Sequence, residues 1–332
     1  MGSSSWSTDA YEEAARVRKA AGTSSFAYSS AARSSGAWTI HSTLNPYGVK
    51  FRESRDSDTH PRSNAISVLF DETGSMGHIP HVFQEKLGEL MHVLLTKGYI
   101  QDPQILFGAF GDATCDHIAL QAGQFESGVE MDENLRNIIL EGGGGGTAHE
   151  SYELALYFMA RHTAIDCWEK RGRKGYLFLI GDEMAYPFVH QQQVEKHFGD
   201  KLQENIPLRQ IITEVQRRFY LFFIFPRNAS YGHDDRIHNF WRDLLGQNFL
   251  FLDDEKAVSE TIALTIGLTE EAISLAEGAQ DLSDAGASQN AIAAATSALQ
   301  TYASAKSVAT TTGTALPGLN QDTPGKPGTE RL

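Results

Sequence analysis

Apolar and polar positions follow two different periods along the middle of this chain, and the switches between them lay out its elements. Ala65-Ile66-Ser67-Val68-Leu69-Phe70 is a short, almost continuous apolar run that stops at Asp71, the pattern of a strand buried on both faces. Over 80–96, the apolar residues Val82, Phe83, Leu87, Leu90, Met91 and Leu94 recur at helical spacing. Runs at 105–110 and 117–121 flank Gly111-Asp112-Ala113-Thr114 and predict a hairpin. The glycine run Gly142 to Gly146 leads into Thr147, and a helix is expected over 147–168.

A second buried strand is expected at 175–180, ending at Gly181-Asp182, with further strands at 219–225 and 248–252. Helices are expected over 189–198, 208–217, 235–245 and 255–276. Strands alternating with helices in this way predict an open, mostly parallel, Rossmann-like α/β sheet with helices on both faces. The hairpin supplies one antiparallel edge strand.

The flanks read differently. Residues 1–63 are rich in Ser, Ala, Gly and Arg, with a short helical signal at 10–21, and predict a partly extended N-terminal arm. Residues 64–276 form the expected domain. From 277 onward Ala, Ser, Thr and Gly dominate; 291–309 is expected to be helical, and 316–332 to be a disordered Pro/Gly-containing tail.

Composition narrows the function classes. With 332 residues, 41% of them hydrophobic and 10% aromatic, the chain can build a full core. A net charge of −14 argues against a nucleic-acid partner, whose phosphates need clustered Lys and Arg. Cys115 and Cys167 are too far apart for a metal-ligand motif and predict a reducing, cytoplasmic setting. Met1 to Ala10 carries no apolar run of the secretory kind, and Trp6 stands where a myristoylation signal has Ser or Thr. No stretch has the apolar length of a membrane span, so a membrane partner is not expected.

In open α/β sheets, ligands sit beyond the carboxyl ends of the strands. The first strand ends in Asp71-Glu72-Thr73-Gly74-Ser75-Met76-Gly77, where Asp71, Thr73 and Ser75 share the period of two that places side chains on one side of an extended segment. Another strand ends at Asp182, and the glycine run delivers Thr147. Two carboxylates and three hydroxyls make an all-oxygen set suited to Mg²⁺ or Mn²⁺ and unsuited to zinc or copper. Two carboxylates only just balance a divalent ion, which keeps it electrophilic and open to an incoming carboxylate.

These three segments, Asp71 to Gly77, Gly146-Thr147 and Gly181-Asp182, resemble the loops of the von Willebrand factor A (VWA) family. That family's metal-ion-dependent adhesion site (MIDAS) uses an Asp-x-Ser-x-Ser loop, a Thr and an Asp; Thr73 here replaces the first Ser and keeps the hydroxyl. The resemblance spans 64–275 and implies the VWA fold. It also implies that Thr73 and Ser75 coordinate the ion directly, Thr147 directly or through water, and Asp71 and Asp182 largely through intervening groups. The function implied is non-enzymatic: a Mg²⁺-dependent protein-binding module that engages an Asp or Glu of its partner. Relatives of this kind often act as adaptors of AAA+ ATPases, including the MoxR type.

Other readings compete. The N- and C-terminal extensions would suit a structural component of a larger assembly. Thr73-Gly74-Ser75-Met76-Gly77 resembles a nucleophile elbow, and Ser75, Asp182 and His233 follow the order of a serine hydrolase, but no earlier strand carries an oxyanion loop. His149-Glu150 lacks the second His of a zinc-protease motif, and no Lys follows Gly146 as in a phosphate loop. His78 and His81 are expected to be exposed, and Asp253-Asp254-Glu255 to be a solvated helix start.

Overall fold

The computed structural model describes residues 5–20, 26–143 and 146–312. Gly144, Gly145 and the 316–332 tail expected to be disordered therefore lie outside the described residues. Six strands form the main sheet and are labelled in chain order: β1 (Asn64–Asp71), β2 (Pro103–Phe110), β3 (Leu120–Ala122), β4 (Gly175–Ile180), β5 (Phe219–Pro226) and β6 (Phe249–Leu252). They lie in the order β6-β5-β4-β1-β2-β3. Every neighbouring pair is parallel except β2 and β3, the antiparallel edge pair of the expected hairpin.

The sheet is buried on both faces because its strands carry apolar side chains at odd and even positions alike. Ile66, Val68 and Phe70 of β1 join Tyr176, Phe178 and Ile180 of β4 on one face. Ala65 and Leu69 join Leu177, Leu179 and Phe223 on the other. Helices cover both faces, so the fold is the open α/β arrangement that the alternating pattern predicted. Full burial of each large apolar side chain contributes roughly 1.5–3 kcal/mol.

The chain leaves β1 for β2 on one side, while β4 pairs with β1 on the other. That reversal opens a crevice between the carboxyl ends of β1 and β4, where Asp71 and Asp182 lie.

Several elements differ from their expected extent. The helix expected over 147–168 is interrupted: Tyr152–Arg161 and Asp166–Glu169 are helical, while Thr163–Ile165 between them forms a short parallel ladder with Arg52–Ser54, tying the N-terminal arm to the domain. The segment 255–276 is not one helix. It comprises a 3-10 turn at Glu255–Ala257 and a helix at Val258–Thr269, and then reverses at Glu271, whose φ is +58°. A capping box of Ser274 and Glu277 starts the next helix, Leu275–Asp284.

The helix Gln289–Thr312 is more than the polar-looking extension its composition suggests: Ala291, Ala295, Leu299 and Tyr302 belong to the same core as β1 and β4. Glu255 also departs from the solvated turn expected of it. It is buried, and accepts hydrogen bonds from Asn228 Nδ2 (2.5 Å) and pairs with His78 Nε2 (2.9 Å). Cys115 is exposed and Cys167 buried, both as free thiols. No described helix is long and apolar enough to cross a membrane.

Candidate metal centre

β1 ends with its last residue, Asp71, fully buried. There the chain turns back on that carboxylate: Asp71 Oδ1 accepts from the Thr73 N–H (2.7 Å) and from the Thr73 hydroxyl (2.6 Å). Both bonds are local, so the motif shapes its own loop from residues two positions apart. Thr73 then precedes the single 3-10 turn Gly74–Met76, which presents Ser75. A side chain at Gly74 would crowd the neighbouring glycine loop. The Gly74 N–H donates to the Gly143 carbonyl (2.9 Å), and a Cβ on Gly74 would sit 3.0 Å from the Gly142 carbonyl oxygen.

Ser75 links this loop to the end of β4. Its Oγ lies 3.1 Å from Thr73 Oγ1 and donates to Asp182 Oδ1 at 2.7 Å. Asp182 Oδ2 accepts from the Tyr231 N–H at 2.9 Å, so the loop after β5 holds the second carboxylate oxygen. Four of the five residues singled out in the sequence (Asp71, Thr73, Ser75 and Asp182) thus form one continuous chain of hydrogen bonds.

Gly181 precedes Asp182 because the Tyr152 ring occupies the space a side chain would need. A Cβ there would lie 2.0 Å from the Tyr152 hydroxyl oxygen, which accepts from the Glu183 N–H at 3.4 Å. The hydroxyl thereby steers the backbone that carries Asp182 and Glu183.

Two further carboxylates reach the crevice. His149–Glu150 pairs in parallel with Met184–Ala185, which brings Glu150 beside Glu183. Asp71, Glu150 and Glu183 each offer an oxygen within 4.8 Å of the others. Asp71 Oδ2 and Glu150 Oε2 are buried without a hydrogen-bond partner, and an isolated buried charge is among the costliest features a fold can carry. Burial pushes the Asp71 carboxyl well above its usual range, and the Asp182 charge pushes it further. Burial raises Glu150, Glu183 and Asp182 as well, the last against hydrogen bonds from Tyr231 and Ser75 that favour its charged form. No Lys or Arg is among the main causes of these shifts. Carboxylates crowded together in this way could serve as donors to a hard divalent cation, and the hydroxyls of Thr73 and Ser75 could extend the set.

No protein-family model and no curated protein sequence matches the chain. Among solved structures, it is similar to the pilus adhesin SpaC from Lactobacillus rhamnosus GG in its open conformation, at 11% identity and a TM-score of 0.45, over 65% of this chain and 31% of that one. It is also similar to proximal thread matrix protein 1 from the mussel byssus, at 11% identity and a TM-score of 0.41, over 61% of this chain and 47% of that one. The matched region thus spans about a third of the adhesin and about half of the matrix protein.

Thr147 lies outside the chain of hydrogen bonds that joins the other four residues. It is exposed, and its carbonyl pairs with His149 Nδ1 at 2.8 Å. It does not cap the following helix, which begins at Tyr152. From the same loop it is Glu150 that comes to Asp71.

Glu150 and Glu183 are the residues sequence reasoning missed. For Glu183 the available signal was a second acid directly after the strand-end Asp182; Glu150 was tested only as part of a zinc motif.

The neighbouring strand end repeats the local device. Asp112 Oδ1 accepts from the Thr114 N–H (2.8 Å) and hydroxyl (2.7 Å), as Asp71 does from Thr73, while Asp112 Oδ2 accepts from the Tyr186 hydroxyl (2.9 Å).

Proposed function

We propose that this chain is a VWA-type binding module whose crevice holds Mg²⁺ or Mn²⁺ between Thr73, Ser75 and Asp182 and grips an acidic side chain of a partner protein. The observation that carries the reading is the Ser75 hydroxyl, set between Thr73 and Asp182 above a buried carboxylate that has one unpartnered oxygen. Asp71 would orient Thr73 through its hydroxyl and N–H. Tyr231 would hold Asp182 in place, leaving the Asp182 oxygen that Ser75 now occupies as the one nearest an ion. Thr147, on a glycine-bearing loop and exposed, is the ligand that would have to approach. A divalent cation bound there supplies a positive charge with a coordination position open to a carboxylate from outside.

A binding role is favoured over hydrolysis by the partners of Ser75. Its hydroxyl donates to a carboxylate, and no imidazole is among its described hydrogen bonds. A nucleophilic serine needs a base that takes its proton and is itself held in place.

The test is crosslinked capture of the partner by wild type and by Thr73→Ala/Ser75→Ala, each with Mg²⁺ and with EDTA. Capture should require Mg²⁺ and be lost in the variant. Capture that withstands both EDTA and the substitutions removes the reading, and dependence on residues 1–63 or 277–332 instead would favour the assembly role.

A further inference from the structure

We infer that Asp71, Glu150 and Glu183 hold a second divalent cation beside the first, with Asp71 shared between the two. The inference extends the proposed reading of the hydroxyl-lined pocket and rests on it for the position of the first ion.

Asp71 has one oxygen for each side. Oδ1 is taken up by the N–H and hydroxyl of Thr73, while Oδ2 is buried and unpartnered. Glu150, only 1% exposed, likewise leaves Oε2 unpartnered. The three residues offer oxygens within 4.8 Å of one another. Oxygens on opposite sides of a bound Mg²⁺ or Ca²⁺ are about 4–5 Å apart, twice the metal–oxygen distance, so one ion can span the group after a small contraction.

Charge counting points the same way. One divalent ion on the hydroxyl side is balanced by Asp71 and Asp182, which leaves Glu150 and Glu183 hydrogen-bonded to each other in a buried site, a contact two carboxyls make only by sharing a proton. A second divalent ion would take the place of that proton and neutralise the pair. It also keeps the first ion electrophilic, because the extra carboxylates no longer compete for it.

The backbone of this second site is built rather than incidental. The ladder of His149–Glu150 with Met184–Ala185 sets Glu150 opposite Ala185, and Glu183, two residues earlier in the chain, offers its carboxylate to the same group. Glu183 is held from both sides: its carbonyl accepts from Trp241 Nε1 at 2.8 Å, and its N–H donates to Tyr152. All three ligands are hard carboxylates, so the site takes Mg²⁺, Mn²⁺ or Ca²⁺ rather than a thiophilic metal.

The experiment is equilibrium dialysis of the full chain against Mn²⁺, with bound metal counted by elemental analysis. The variants are Glu150→Gln/Glu183→Gln and Thr73→Ala/Ser75→Ala, with Glu183→Gln alone as the milder substitution if the double variant does not fold. Wild type should bind two equivalents, falling to one in the acid-pair variant and to one in the hydroxyl variant. A single equivalent in the wild type overturns the inference whichever variant removes it, and so does a wild-type count that survives the acid-pair substitutions. If the hydroxyl variant keeps both equivalents while the acid-pair variant loses one, the carboxylate site stands and the proposed hydroxyl site falls.

Discussion

The Ser75 hydroxyl donates to Asp182 Oδ1 across 2.7 Å, joining two loops 107 residues apart in the chain. Without a cation this bond satisfies both groups. With one, the two oxygens would be placed to ligate it, and the Tyr231 N–H on Asp182 Oδ2 would keep the carboxylate in place. Asp182→Asn leaves the shape intact and removes the charge. It is expected to weaken Mg²⁺ binding by at least about 10–100-fold, the range for groups that merely orient metal ligands, as measured by titration calorimetry.

Tyr152 and Gly181 are interdependent. A methyl group at residue 181 would meet the Tyr152 hydroxyl, which is fully buried among Phe110, Phe223 and Trp241. Gly181→Ala is expected to cost about 1–3 kcal/mol, as overpacking does, read by denaturant unfolding. Adding Tyr152→Phe removes the nearest atom and should recover part of that loss. Additive costs for the two substitutions would contradict the coupling.

The C-terminal helix is part of the core. Tyr302 stacks edge-on against Phe222 of β5, with ring centroids 5.4 Å apart, and its hydroxyl pairs with Thr269 Oγ1 at 2.8 Å. Tyr302→Ala should destabilise the domain by roughly 3–5 kcal/mol, the range for deleting a buried aromatic ring. Tyr302→Phe should cost about 1 kcal/mol, the contribution of one hydrogen bond. If thermal melts show Tyr302→Ala within about 0.5 kcal/mol of wild type, as for an ordinary surface substitution, the helix does not contribute to the core.

His197 gives the domain an acid-sensitive point remote from the crevice. Its Nε2 is buried without a partner, and burial, aided by Lys196, lowers its pKa to about 4. The unfolded chain, with a pKa near 6.5, binds the proton more readily between those values, so stability rises with pH there. The contribution is fully present above about 6.5 and is lost as pH falls toward about 4. His197→Gln should flatten the difference in unfolding free energy between pH 7 and pH 4.5 relative to wild type. Identical pH profiles would show that His197 is solvated in the folded state.

The parts that were legible in the sequence are those that short stretches determine. A strand buried on both faces must be apolar throughout, so β1, β4 and β5 stand out, and their carboxyl ends locate Asp71 and Asp182. Asp71 and Thr73 bond each other locally, so their spacing alone carries the loop.

Glu150 and Glu183 were not legible because they meet through a two-residue ladder that no periodicity marks. The break at Glu271 was missed because the apolar spacing runs on through it, and only the φ of one residue turns the chain. The Ala-rich helix was underrated for a related reason. Ala291 and Ala295 contribute little to a hydropathy pattern, yet they are nearly or fully buried.

The central claim is that a divalent cation sits among Thr73, Ser75 and Asp182. The most direct measurement is an anomalous difference map from crystals grown with Mn²⁺. A peak within coordination distance of Ser75 Oγ and Thr73 Oγ1, with the Ser75–Asp182 hydrogen bond opened, is the predicted result. A map in which Mn²⁺ appears elsewhere, while Ser75 still donates to Asp182, would contradict it.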